Sequence, residues 1–170
     1  MEKKDLKLIG KEEWCSFEEL KIPAILARVD SGAKTSSIQA REIKLIKKNN
    51  EDWVNFTVNP LQRNSNVRVQ CCAKVMGKRS IKGSFGISED RLIIKTPITI
   101  GEDTFDVELS LANRNSMEFR MLLGREAMAN RFIINPGIRH VQKKYLEKEV
   151  IAFYEAQAIK KRIWDKQKKI

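Results

Sequence analysis

Histidine, cysteine and long apolar runs are all scarce in this chain of 170 residues, and each scarcity closes off a class of function. There is one histidine, His140, and no His-Glu-x-x-His, so a helical zinc-protease site is excluded. The three cysteines, Cys15, Cys71 and Cys72, have no zinc-ligand spacing and cannot form an even disulfide framework. Cys71 and Cys72 are adjacent, so a strand would point them to opposite faces, and all three read as reduced thiols. No glycine-rich loop ends in Gly-Lys-Ser/Thr, which removes the commonest phosphate cradle. No apolar run approaches membrane-spanning length, and the charged start Met1-Glu2-Lys3-Lys4-Asp5 has no apolar stretch behind it. The expectation is a cytoplasmic protein with no membrane contact, no metal and no cofactor.

What is present fits one core. The hydrophobic fraction of 42% is ordinary globular usage, and the length suffices for a single domain. The net charge is +11 and is unevenly placed. Between Lys143 and Ile170 nine Lys/Arg face four acids, giving this tail +5. Such a field favours anionic partners: nucleic acid, a ribosome surface or an acidic peptide. A soluble basic protein with no such partner would carry the same charge.

The organisation reads as short strands broken by turns. Candidates are Lys7 to Gly10, Ile25 to Val29, Ile43 to Lys47 and Trp53 to Val58, with a polar loop from Pro60 to Asn66. Val67, Val69 and Cys71 alternate with Arg68, Gln70 and Cys72, as on a half-buried strand that Met76-Gly77 then breaks. Arg79 to Ile81 and Arg91 to Thr96 flank a hairpin tip at Gly83-Ser84-Phe85-Gly86. Ile98 to Ile100 and Phe105 to Leu111 are joined by Gly101-Glu102-Asp103. Strands at this spacing favour a small closed β barrel over a layered α/β fold. Residues 1–142 form that domain. From Lys144 to Lys169 there is no Gly or Pro, and Ala152, Ala156, Ile159 and Ile163 recur at helical spacing beside Leu146, Val150 and Phe153. Residues 143–170 are therefore a basic amphipathic helix. Packing against the barrel or a second subunit is the simpler role for it; nucleic-acid binding is the other.

The most informative stretch is Ala27-Arg28-Val29-Asp30-Ser31-Gly32-Ala33, an apolar strand running into Asp-Ser-Gly. Gly32 permits a tight turn and close approach of another backbone. Far downstream, Met121-Leu122-Leu123-Gly124-Arg125 is an apolar strand ending in Gly-Arg, followed by a helical turn from Glu126 to Ala129. Two such motifs in this order resemble the retropepsin-like aspartic peptidases. The longer string from Arg28 through Lys34-Thr35-Ser36-Ser37-Ile38-Gln39-Ala40, with Leu109-Ser110-Leu111-Ala112-Asn113-Arg114, Met117 and the Leu-Leu-Gly-Arg, is similar to a bacterial and archaeal family known as ATP-dependent zinc proteases. Genes of that family often neighbour ATP-grasp ligases that add glutamate to protein C-termini. The likeness runs from about Leu8 to Val141. Members often carry His where Gln39 stands and Asp where Asn135 stands; both departures remove ionisable groups.

The resemblance implies a mainly β, retropepsin-like barrel with Asp30, Ser31 and Gly32 as the catalytic loop. Hydrolysis without metal or covalent intermediate needs a base for water and an acid for the carbonyl oxygen, and two close carboxylates sharing one proton supply both. This chain has one Asp-Ser-Gly, so a two-fold homodimer must bring two copies of Asp30 together. Leu122, Leu123, Gly124 and Arg125 would pack beneath the loop. Arg28, Ala33, Lys34 and Thr35, with Arg79, Ser84, Phe85, Gly86 and Arg91 of a flap-like hairpin, would bind substrate. Arg28 stands where pepsin-like enzymes are usually apolar, which points to an acidic substrate, including a glutamate-extended protein tail. The alternative function is a catalytically weak binding module presenting a basic surface to the ribosome or another anionic partner.

Overall fold

Alternation of buried and exposed side chains builds most of this structure, a computed structural model describing residues 5–83, 85–113 and 118–169. The strands are β1 (Lys7–Ile9), β2 (Glu12–Phe17), β3 (Ile22–Val29), β4 (Ser36–Gln39), β5 (Arg41–Lys48), β6 (Glu51–Val58), β7 (Val69–Lys82), β8 (Ser88–Ile100), β9 (Asp103–Ala112), β10 (Met121–Leu123) and β11 (Phe132–Ile134). Two helices accompany them, a single turn α1 (Arg125–Met128) and the long α2 (Glu147–Lys168).

Six strands close on themselves in the order β2-β3-β10-β4-β9-β8, and Ser16 opposite Thr99 completes the ring from β8 back to β2. The barrel is filled by Phe17, Ile22, Ile25, Ile38, Ile98, Leu109 and Met121, all with essentially no exposed surface. Closure removes the open edges that a flat sheet of these strands would leave. Outside the ring β8 continues as a long hairpin with β7, and β6 and β5 extend the sheet from β7. β1 and β11 form a separate parallel pair.

This is the predicted mainly β closed barrel with a C-terminal helix. Local departures have physical causes. Met76-Gly77 does not end its strand: the register slips between Val75 and Gly77 as a bulge, and pairing resumes to Lys82. Pro97 likewise does not divide β8. β2, β4 and β11 were not distinguished in the sequence. The helix is present, but its buried side is Val150 and Tyr154, whereas Ala152, Ala156, Ile159 and Ile163 face solvent. Tyr154 wins because its hydroxyl reaches the Ala24 carbonyl, which pairs a buried polar group while its ring covers the barrel.

Candidate active site

β10 lies between β3 and β4, although β3 and β4 follow each other in the chain. Met121 to Leu123 run parallel to Ala27 to Val29 on one side and antiparallel to Ser37 and Ile38 on the other. The connection from β3 to β4, which contains Asp30-Ser31-Gly32, must therefore pass over the end of β10. It is tied there at five points. Asp30 N–H donates to the Leu123 carbonyl at 2.9 Å, Arg125 N–H to Ala33 at 2.7 Å and Glu126 N–H to Lys34 at 3.1 Å. Gly124 N–H donates to Ser36 Oγ at 2.9 Å. The Arg125 guanidinium donates to the Ser31 carbonyl at 3.0 Å.

Glycine is obligatory at the crossing. A Cβ on Gly124 would lie 2.7 Å from the Thr35 carbonyl carbon and 2.8 Å from the Ser36 nitrogen, both backbone atoms that cannot step aside. Leu123 is fully buried beneath the loop, while Ser31 and Gly32 are exposed above it. The Asp30 carboxylate sits half-buried at this rim, and Gly32 N–H donates to its Oδ1 at 3.0 Å. One oxygen is thus oriented by the backbone, and the carboxylate is open to solvent on its exposed side.

The residues expected to bind substrate divide into groups. Ala33, Lys34 and Thr35 belong to the crossing loop. Arg28 is exposed, but its guanidinium lies 5.8 Å over the Phe119 ring, and among the described residues it makes no ion pair with Asp30. Thr35 and Ser36 line a cleft of about 140 Å³ with Asp106, Glu108 and Glu126. Two of its carboxylates hold expected substrate cations: Glu108 pairs with Arg79, and Glu126 with Lys34 at 3.8 Å. The Arg79 hydrogen bond holds the Glu108 carboxyl below the usual glutamate range and raises Arg79 above its own. Phe85 is 93% exposed at the hairpin tip, and Gly86 takes the left-handed turn there with φ +79°. Ser84 lies outside the described residues. Arg91 departs from expectation: its side chain is buried and its Nε is taken by Glu89.

Sequence reading passed over Ser36, which ties β4 to the Gly-Arg turn, and Glu108, which anchors Arg79. Glu108 left a signal in its alternation with the buried Val107 and Leu109 on β9. Glu13 was also missed. It is fully buried on β2 and accepts from the N–H groups of Gly10 at 2.8 Å, Val141 at 3.1 Å and Gln142 at 2.9 Å.

A zinc site does not fit these residues. Among the described residues no three His, Cys, Asp or Glu side chains are placed to hold one metal ion. His140 is half-buried with Nε2 3.3 Å from a Glu12 oxygen, a pairing of two groups and no more. Also among the described residues, no helix is long and apolar enough to cross a membrane.

Comparison with known proteins agrees with this geometry. A probable alpha-L-glutamate ligase of Desulfotalea psychrophila is 54% identical over 133 residues, which is 78% of this chain and 29% of that protein. One from Shewanella halifaxensis is 44% identical over 154 residues, 91% of this chain and 34% of that protein. The chain thus spans about a third of the length of the curated relatives it matches. A solved Legionella pneumophila protein of unknown function superposes with a TM-score of 0.69 at 22% identity, over 82% of this chain and all of that one, a likeness of fold alone. The family model described as retropepsin-like aspartic endopeptidase RimB matches residues 8–145, the stretch that builds the barrel and the threaded Asp30 loop. The chain belongs to the RimB-like family of retropepsin-like aspartic endopeptidases.

Proposed function

We propose that this chain is one half of an aspartic-type peptidase, and that two copies bring their Asp30 carboxylates together across a two-fold axis. The observation that carries this reading is the Asp30 loop itself. Its carboxylate is presented at a solvent-accessible rim, oriented by Gly32 N–H, on a loop fixed by five hydrogen bonds to the end of β10 and the turn that follows it. That is far more restraint than an ordinary surface turn needs. It is what a general base held in one geometry requires.

In the dimer one Asp30 would be ionised and the other protonated, because two like charges at contact distance do not both ionise. The ionised carboxylate takes a proton from water as the water attacks the peptide carbonyl. The protonated one donates to the carbonyl oxygen. The acid and base then exchange roles as the amine leaves. Substrate choice falls to the cations around the loop: Arg28 first, then Lys34 and Arg79, which would exchange Glu126 and Glu108 for the carboxylates of an acidic peptide. Similarity to proteins named glutamate ligases supports a glutamate-extended polypeptide as that substrate.

Asp30→Asn is nearly isosteric and keeps the Gly32 acceptor, so fold and dimer should survive while hydrolysis is lost. Hydrolysis of a glutamate-rich peptide should also fall on dilution below the dimer dissociation constant. Wild-type turnover in Asp30→Asn, or undiminished specific activity in a strict monomer by sedimentation, would exclude the mechanism.

A further inference from the structure

Helix α2 divides into two unlike halves. In the first, Val150 and Tyr154 are buried against the barrel, and Gln157 Nε2 donates to the Lys21 carbonyl at 2.8 Å. Beyond Gln157 every residue through Lys169 is exposed. The whole of α2 lies outside the region that matches the family model. Its second half carries Lys160, Lys161, Arg162, Lys166, Lys168 and Lys169 against the single acid Asp165. A solvated helix with no packed face is marginal in water, and repulsion among like charges weakens it further. A polyanion laid along it removes that repulsion.

Three polyanions can be weighed. A lipid surface requires a broad apolar face. At 100° per residue Ile159 and Ile163 share one side, but Trp164 lies well round from them and cations occupy the remaining sides. An acidic protein is best recognised by the planar fork of arginine, and five of these six cations are lysines. A phosphate backbone is well matched by point charges spread around a helix. Trp164 is 58% exposed, with the Lys168 ammonium over one ring face at 5.1 Å from its centre, so a base would stack on the opposite face or take the place of this cation.

We propose that residues 158–169 form a nucleic-acid-binding element in which three to five of these six cations grip the backbone of a single strand and an unpaired base stacks on Trp164. The segment is about 18 Å long at 1.5 Å per residue, enough to follow several phosphates.

The test is fluorescence polarisation of a labelled oligouridylate with the full chain between 50 and 200 mM salt. Binding is read without cleavage, so the result does not depend on the peptidase reading. The expected log–log salt slope is about −2 to −4, at about 0.7 per phosphate neutralised on a single strand. The triple variant Lys160→Gln, Lys161→Gln, Arg162→Gln should bind at least tenfold more weakly with a slope shallower by about 2. Trp164→Ala should weaken binding and leave the slope unchanged. All four sites are exposed, so both variants should stay folded by circular dichroism, with the triple variant at least as helical as wild type because three like charges are gone. Absence of binding at 50 mM salt, or a triple variant that binds like wild type, would overturn the proposal. So would displacement of the RNA by polyglutamate of equal charge as effectively as by unlabelled RNA, which would indicate an acidic protein partner. Tighter capture by phosphatidylglycerol vesicles than by RNA would indicate a membrane and overturn it equally.

Discussion

Arg79 of β7 reaches across β8 to ion-pair with Glu108 of β9, fastening the base of the protruding hairpin to the wall of the cleft beside the Asp30 loop. The Glu108 pKa is lowered in the folded state, chiefly by this hydrogen bond. Its stabilising contribution is therefore complete above the unfolded glutamate value of about 4.3 and is lost as pH falls through the lower folded value. The pair is partly solvated, at 44% and 32% exposure, so its contribution should stay below about 1 kcal/mol. Amide hydrogen exchange around Arg79 and Arg91 checks this. Wild type should be better protected than Glu108→Gln at pH 7, and the difference should shrink as pH falls through the lowered Glu108 value. Freed of Glu108, Arg79 should also bind a glutamate-rich peptide more tightly, visible as a lower KM. Identical protection of wild type and Glu108→Gln at pH 7 would show that the pair does not hold the hairpin.

Gly124→Ala should be among the most damaging small substitutions. The added methyl meets the backbone of Thr35 and Ser36, so the crossing loop must lift away from β10. Overpacking of this kind costs about 1 to 3 kcal/mol, read as a lower urea midpoint at unchanged slope. Because the same loop carries Asp30, hydrolysis should fall further than the stability loss alone explains.

Glu13 is the buried acceptor that holds residues 141 and 142 against the N-terminal turn. Glu13→Ala leaves three backbone N–H groups without this partner, each worth about 1 to 3 kcal/mol when unsatisfied. A loss of at least about 3 kcal/mol is expected in chemical denaturation. Glu13→Gln, which keeps one oxygen acceptor, should lose less.

The aspartic loop, its partner strand and the barrel class were legible because they rest on short-range signals. Asp30-Ser31-Gly32 after an apolar strand, Leu123-Gly124-Arg125 after another, and alternation along Val69 to Ala73 each declare themselves within a few residues. β4 was not legible: Ser36-Ser37-Ile38-Gln39 buries all four side chains, so it has no alternation to find. β2 was hidden by Glu13, an acid on the core-facing side, which only its distant donors explain. The exposed stripe of α2 misled because Ala and Ile at helical spacing mimic a packed face. The true contact depends on Tyr154 meeting a carbonyl 130 residues away. The pairing of Arg79 and Lys34 with acids was equally invisible, since the partners, Glu108 on β9 and Glu126 in α1, lie far away in the chain.

The thiols should separate cleanly by reactivity. Burial raises the Cys15 thiol strongly and pushes Cys71 up to about 12, so neither supplies thiolate at neutral pH. Cys72 is only half-buried, with its sulfur 3.4 Å from Lys48 Nζ. Iodoacetamide at pH 7.5 should add one group per folded chain, at Cys72, and three after denaturation, as read by intact mass. Two or more groups on the native protein would contradict the burial of Cys15 and Cys71.

The insertion of β10 between β3 and β4 also sets an order of events during synthesis. Ser36 and the glycine it holds are 88 residues apart in the chain. β3 and β4 cannot form their final sheet until β10 has been made, because its place separates them. Long-range closures of this kind are slow and come late in folding. A nascent or truncated chain that stops before Met121 therefore has Asp30 but no frame to hold it. On the proposed mechanism, hydrolytic competence would arrive only after barrel closure, once two closed copies can pair, so an incompletely made chain would be inert.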